Sequence, residues 1–340
     1  MIMIELKHDE LVFQFPEVHE DAVCRVGFQR TLRIPDDNRE YPLPPGLGRF
    51  PLEHVEDHSS RLPAAWSDHG GVLLPMYQSE ALWINFSGGI GFRRGGSYPF
   101  AVKIAAGKIN AVTGDTWANG LVKDPQDYLV VPDQPWLDGF CVQKGLIRQF
   151  VAMPLGQGYT AEEQLTGGAE HGGLQVIVYP MKRDRYEEML KRSARVFDAG
   201  VCYSLAAPCE SASMGLAPGG LMRQEIYEDE YGYDAWDMCQ SSRCFVHILN
   251  STQWAIATGK PVPGQPPSTG DYTKAGLPWF DYYGDKLIAL SGTKKLAGMD
   301  SVAAKGVKLG EKPLVENNAV NPQKIVRLGS ASAKVNDGNW

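Results

Sequence analysis

The acidic and aromatic side chains between Glu225 and Asp237 form the densest concentration of reactive types in this 340-residue chain. EIYEDEYGYDAWD interleaves Glu225, Glu228, Asp229, Glu230, Asp234 and Asp237 with Tyr227, Tyr231, Tyr233 and Trp236. Such a mixture suits a sugar. An aromatic ring stacks on the sugar, and paired carboxylates protonate a leaving group and activate water. Glu225, Tyr227, Glu228, Asp229, Asp234, Trp236 and Asp237 are therefore the candidate ligand-binding residues. The same oxygens would suit Ca²⁺, but their spacing does not fit a twelve-residue EF-hand loop. The competing structural reading is a solvated loop whose acids cap turns and pair with Arg223 or Arg243.

Three other groupings carry weaker signals. SGGIGFRRGGSYP (87–99) could cradle an anion with backbone amides, Arg93 and Arg94. It lacks the third glycine of the dinucleotide fingerprint and lies between strands, so a hairpin tip is the simpler reading. Cys239, Cys244 and His247, with Asp237, match no zinc spacing. On a strand, Cys244 and His247 would also face opposite sides. His54 and His58 stand four apart beside Glu53, Glu56 and Asp57, without the HExxH pattern, and read as a surface turn. No G-x-S-x-G elbow, C-x-x-C pair or Walker sequence occurs. No catalytic residue, metal or cofactor is assigned on these grounds.

The elements that must position these residues are mostly strands. The chain is 43% hydrophobic, with 37 Gly and 23 Pro dispersed between short apolar runs, which favours many strands joined by turns. GLIRQFVAM and GLQVIVYPM, within 145–181, are apolar on both faces and read as central strands. Residues 22–34 alternate cleanly, Cys24, Val26, Phe28, Leu32 and Ile34 against Arg25, Gln29, Thr31 and Arg33, and predict a half-buried strand. Arg30 falls on the apolar side, which demands a bulge or a carboxylate partner. Further strands are expected at 2–7, 11–15, 72–76, 81–86, 100–105, 108–112, 128–132, 200–207, 221–227 and 243–249. GLIRQF (145–150) echoes GLMRQE (220–225), as either a duplication or a coincidence of six residues would produce.

Helical signals are few. Tyr186, Met189, Leu190, Ala194 and Phe197 form a stripe that predicts an amphipathic helix over 182–198, stopped by Gly200. Thr160 and Glu163 form a capping box before Gly167, and Asn250 caps a short helix ending near Gly259. The 154–173 connection is long enough to be a lid or a contact surface.

The expected fold is mainly β: an antiparallel β-sandwich, one large or two stacked, with one amphipathic helix. Residues 1–260 would form this body, with a possible break near 182–200. Residues 261–340 would be an irregular C-terminal arm, packed on the body or on a neighbouring subunit.

The net charge of −7 and the dispersed basic residues argue against nucleic-acid or membrane partners. The first ten residues lack a signal-peptide pattern and no run approaches eighteen apolar residues. The six cysteines are too sparse for a disulfide scaffold. A soluble, cytoplasmic protein is expected. The leading functional expectation is a non-enzymatic, self-associating β-protein that binds or scaffolds, with itself as first partner. The alternative is a carbohydrate-active hydrolase or sugar-binding protein using residues 225–237.

Overall fold

The computed structural model describes residues 3–88, 97–192, 214–262, 264–282, 287–312 and 314–328. Strands dominate, as the alternation predicts. They are β1 (Met3–Lys7), β2 (Glu10–Gln14), β3 (Val23–Thr31), β4 (Glu40–Tyr41), β5 (Gly46–Arg49), β6 (Glu53–His54), β7 (Val72–Met76) and β8 (Ala81–Gly88). There follow β9 (Phe100–Ala106), β10 (Ile109–Asn110), β11 (Leu129–Val131), β12 (Trp136–Leu137), β13 (Gly139–Gln143), β14 (Leu146–Pro154) and β15 (Leu174–Pro180). The last are β16 (Met214–Arg223), β17 (Ser242–Asn250), β18 (Trp279–Tyr282) and β19 (Ile325–Leu328).

The first seventeen strands are hydrogen-bonded into one branched sheet, mostly antiparallel. One tract runs β1–β2–β3–β8–β14–β16. A second runs β9–β15–β17–β7, with β7 parallel to β17. Met214 opposite Ile248 joins the two. Strands β14 and β15 are internal, each bonded on both edges, which accounts for their doubly apolar sequences. One apolar cluster spans both tracts; Phe15 and Phe100 meet at 6.1 Å, and Phe140 lies edge-on to Phe150 at 4.8 Å. Burying each such ring contributes roughly 1.5–3 kcal/mol.

Strand β3 departs from the expectation. Its apolar face is buried, but so are Gln29 and Thr31 on the other face and Arg33 just past its end. The proline-rich crossing and the C-terminal residues cover them: Thr31 donates to Pro45 O at 2.9 Å and Arg33 to Asn317 Oδ1 at 3.2 Å. Arg30 is fully buried, with Glu80 as its carboxylate partner; its Nε lies 2.7 Å from Glu80 Oε1. A second correction concerns 221–227. The strand is instead β16, and it ends at Arg223. Its first residues, MGLAPGG, carry the glycine and proline that ordinarily mark turns, yet Gly219 and Gly220 are needed there. A Cβ on Gly220 would stand 2.3 Å from Pro35 O, and one on Gly219 2.6 Å from Val151 Cγ2. The two echoing segments lie side by side, Ile147 opposite Met222, antiparallel across β14 and β16. The expected strand over 200–207 lies outside the described residues.

Helices are short: α1 (Ala64–His69), α2 (Ala161–Thr166), α3 (Arg183–Arg192), α4 (Ser251–Thr258), α5 (Thr269–Lys274), α6 (Lys294–Ala297) and α7 (Val302–Lys308). The Thr160–Glu163 capping box opens α2 and left-handed Gly167 closes it; Asn250 and Gly259 do the same for α4. Helix α3 anchors through Tyr186, whose ring centroid lies 4.1 Å from that of Tyr98, and Met189 and Leu190 of the predicted stripe pack half-buried against the core; Ala194 and Phe197 lie outside the described residues.

The C-terminal residues lie along the body of their own chain. Phe280 bridges Leu43, and Trp279 is buried beside Tyr41 and Tyr272. Thr293 Oγ1 donates to Thr113 O at 2.9 Å, and Ala303 N to Asp36 Oδ2 at 2.7 Å. The 154–173 connection meets them too: Gln164 Nε2 donates to Asp300 O and its Oε1 accepts from Asp300 N.

Candidate functional site

Past Arg223 the chain leaves the regular ladder, and 225–229 is held as an extended segment in another way. On one side Leu290 N donates to Ile226 O and Glu228 N to Ile288 O, so C-terminal residues 288–290 pair with it antiparallel. On the other side two glutamine side chains stand in for a strand. Gln134 donates to Glu225 O at 3.2 Å and accepts from Tyr227 N at 3.1 Å. Gln126 donates to Tyr227 O at 3.1 Å and accepts from Asp229 N at 2.8 Å. A primary amide offers the same donor and acceptor as a peptide group, so buried backbone polar groups are satisfied without a neighbouring strand.

Asp229 then turns the chain. Its Oδ1 accepts from the amides of Tyr231 at 2.9 Å and Gly232 at 3.0 Å. Its Oδ2 accepts from Tyr128 Oη at 2.6 Å and Trp236 Nε1 at 2.8 Å. Both oxygens are thereby engaged. Burial, and then the Asp229 charge, push the Tyr128 hydroxyl above its ordinary value, so it stays protonated and donating. Residues 235–237 return along the end of β15, with Asp237 N donating to Pro180 O at 2.9 Å.

Segment 228–233 forms one wall of a cleft of about 450 Å³. The opposite walls are 112–113, 123–128 and the C-terminal residues 290–293. The 117–127 loop is held behind the cleft by a buried ion pair. Lys103 Nζ lies 2.5 Å from Asp127 Oδ2 and donates to the carbonyls of Ala118 and Gly120. With all three N–H groups used, the buried ammonium is compensated.

The seven candidate residues divide. Glu228 and Asp229 line the cleft, with Glu228 exposed. Tyr227 and Trp236 are buried among the apolar residues behind it. Glu225, Asp234 and Asp237 do not line it. Arg93 and Arg94 lie outside the described residues. Five further residues join the lining: Tyr233, and from other parts of the chain Tyr128, Lys123, Asp124 and Ser291. Of these only Tyr233 belongs to the acidic run, and no local signal singled out the rest. Ser291 and Lys294 do stand at S-x-x-K spacing, which sequence reading passed over. That spacing serves catalysis when both lie on one helix turn; here Thr293 caps α6 and Ser291 precedes the cap.

The remaining groupings are structural in placement. His247 stacks on Trp66 at 4.4 Å and bonds Gly70 O at 3.0 Å, while Cys244 is buried three residues earlier on the same strand, an odd separation that puts the two on opposite faces. His54 lies on β6 and His58 in the following turn, 3.5 Å from Glu53. Among the described residues no three of the His, Cys, Asp and Glu side chains are grouped to hold a metal ion. Among the described residues no helix is long and apolar enough to cross a membrane.

A second surface feature belongs to the C-terminal residues. Nine large apolar side chains are exposed among the described residues, and seven of them fall between Leu277 and Val326. Comparison with protein-family models, curated proteins and solved structures finds no match for this chain.

Proposed function

We propose that the protein is a non-enzymatic, self-associating β-protein with a binding or scaffolding role, and that its C-terminal residues carry the interface. One observation carries this reading: the concentration of exposed apolar side chains between Leu277 and Val326. Single exposed hydrophobics are ordinary, but such a concentration along one stretch of chain supports a contact surface. Strand β19 adds a self-complementary element. Ile325 and Val326 are 47% and 37% exposed on a two-stranded parallel ribbon. A second copy presents the same ribbon, so a two-fold axis can pair like with like. The non-enzymatic part is supported by Asp229, whose lone pairs are committed to holding the chain and not to moving protons. A cytoplasmic setting accords with the free thiol of exposed Cys239.

Light scattering across a dilution series tests the assembly. The expected result is a mass of two or more chains at micromolar concentration. Ile325→Lys with Val326→Glu should reduce it to one chain while the melting profile is kept. A single-chain mass for the unsubstituted protein at tens of micromolar would overturn the reading.

A further inference from the structure

The cleft beside 228–233 has features that self-association does not use. Its volume of about 450 Å³ lies in the range of small-molecule sites, roughly 300–1,000 Å³. Its framework is fixed in advance. Tyr233 is held by its backbone and by its hydroxyl, which donates to Leu121 O at 3.1 Å. Gln126 and Asp229 spend their polar atoms on the protein itself. What remains open to a ligand is a different set. Glu228, Lys123, Asp124 and Ser291 line the cleft with exposed side chains, and none has a side-chain hydrogen bond among the described residues.

We propose that this cleft binds a neutral sugar or comparable cyclic polyol. A ring of hydroxyl groups needs acceptors and donors interspersed, and Glu228, Lys123 and Ser291 supply a carboxylate, an ammonium and a hydroxyl. The apolar face of such a ring needs a flat apolar partner, and half-buried Tyr233 supplies one with its hydroxyl already engaged. The two open carboxylates outnumber the one ammonium, so the cleft disfavours phosphorylated or carboxylated sugars. Asp229, with both oxygens fully engaged, stands outside the binding set and cannot serve as one half of an acid–base pair.

Saturation-transfer NMR and calorimetry on the full chain provide the test, with glucose, galactose, N-acetylglucosamine and maltose as probes and glucose 6-phosphate as the anionic control. At least one neutral probe should bind with micromolar to low-millimolar affinity, with aromatic ring protons transferring saturation. Glu228→Ala and Lys123→Met are exposed changes that leave the melting profile intact, and each should weaken binding about tenfold. Tyr233→Leu should weaken it by as much or more; where that variant melts early, the two exposed changes decide. No saturable binding by any neutral probe up to tens of millimolar would overturn the proposal. Binding that survives both exposed substitutions would overturn it too. So would glucose 6-phosphate binding better than every neutral probe, or Ca²⁺ alone binding at the cleft with loss in Glu228→Ala and no sugar response.

Discussion

Replacing Asp229 by alanine would strand four donors at once, two of them the buried Tyr128 hydroxyl and Trp236 indole N–H. Unsatisfied buried donors cost about 1–3 kcal/mol each, so Asp229→Ala should lower stability by about 2–4 kcal/mol in urea unfolding. A loss below about 0.5 kcal/mol would refute this account of the residue. Asp138 is a different case. It is buried, its one charged-form partner is Gln224 Nε2 at 2.7 Å, and burial raises its carboxyl to about 7. A raised carboxylate favours the folded state while protonated in it. That contribution is complete below the unfolded value near 4 and is lost as pH climbs through 7. Asp138→Asn should therefore flatten the stability profile between about pH 4 and 7 and leave the variant more stable at pH 8. Thermal melts across that range check it, and a parallel profile would refute it. Residue identities in the acidic run were legible in the sequence; their division of labour was not. Glu228 and Asp229 are neighbours of equal charge, and only the fold decides that one is exposed and the other is tied to four donors.

At the scale of elements, glutamine amides recur as substitutes for strands. Gln126 and Gln134 flank 225–229, Gln149 clamps Ile34 N and Leu32 O, Gln164 clamps Asp300, and Gln224 accepts from Asp138 N. The repeated Arg-Gln of the echoing segments places Gln149 and Gln224 in two of these roles. Gln126→Leu removes an acceptor for Asp229 N and a donor for Tyr227 O, at a cost of about 1–3 kcal/mol. Amide exchange at Asp229 should accelerate while exchange in β14 holds steady, since the loss is local. Equal acceleration in both would show that the clamp is not a local device. The elements with local signals were legible: alternation in β3, runs apolar on both faces in β14 and β15, caps for α2 and α4. It missed β16 because glycine and proline, which ordinarily mark turns, are there to let Pro35 and Val151 approach. It could not find 225–229 as a bound segment, because side chains some hundred positions upstream replace the ladder.

At the scale of the molecule, the mainly antiparallel β character followed from composition and periodicity, whereas the joining of all seventeen strands into one sheet did not. That joining rests on a single opposition, Met214 with Ile248, which no pattern announces. The covering of β3 on its polar face likewise depends on residues nearly three hundred positions away, such as Asn317. The pairing of 226–228 with 288–290 carries a consequence for manufacture of the chain. A ribosome delivers the acidic run before its outer neighbour exists, and the neighbour emerges only after some sixty further residues. Until then the run has glutamines on one flank and water on the other. The cleft is therefore a late product of synthesis: the growing polypeptide can assemble most of its layers while that hollow still lacks a wall.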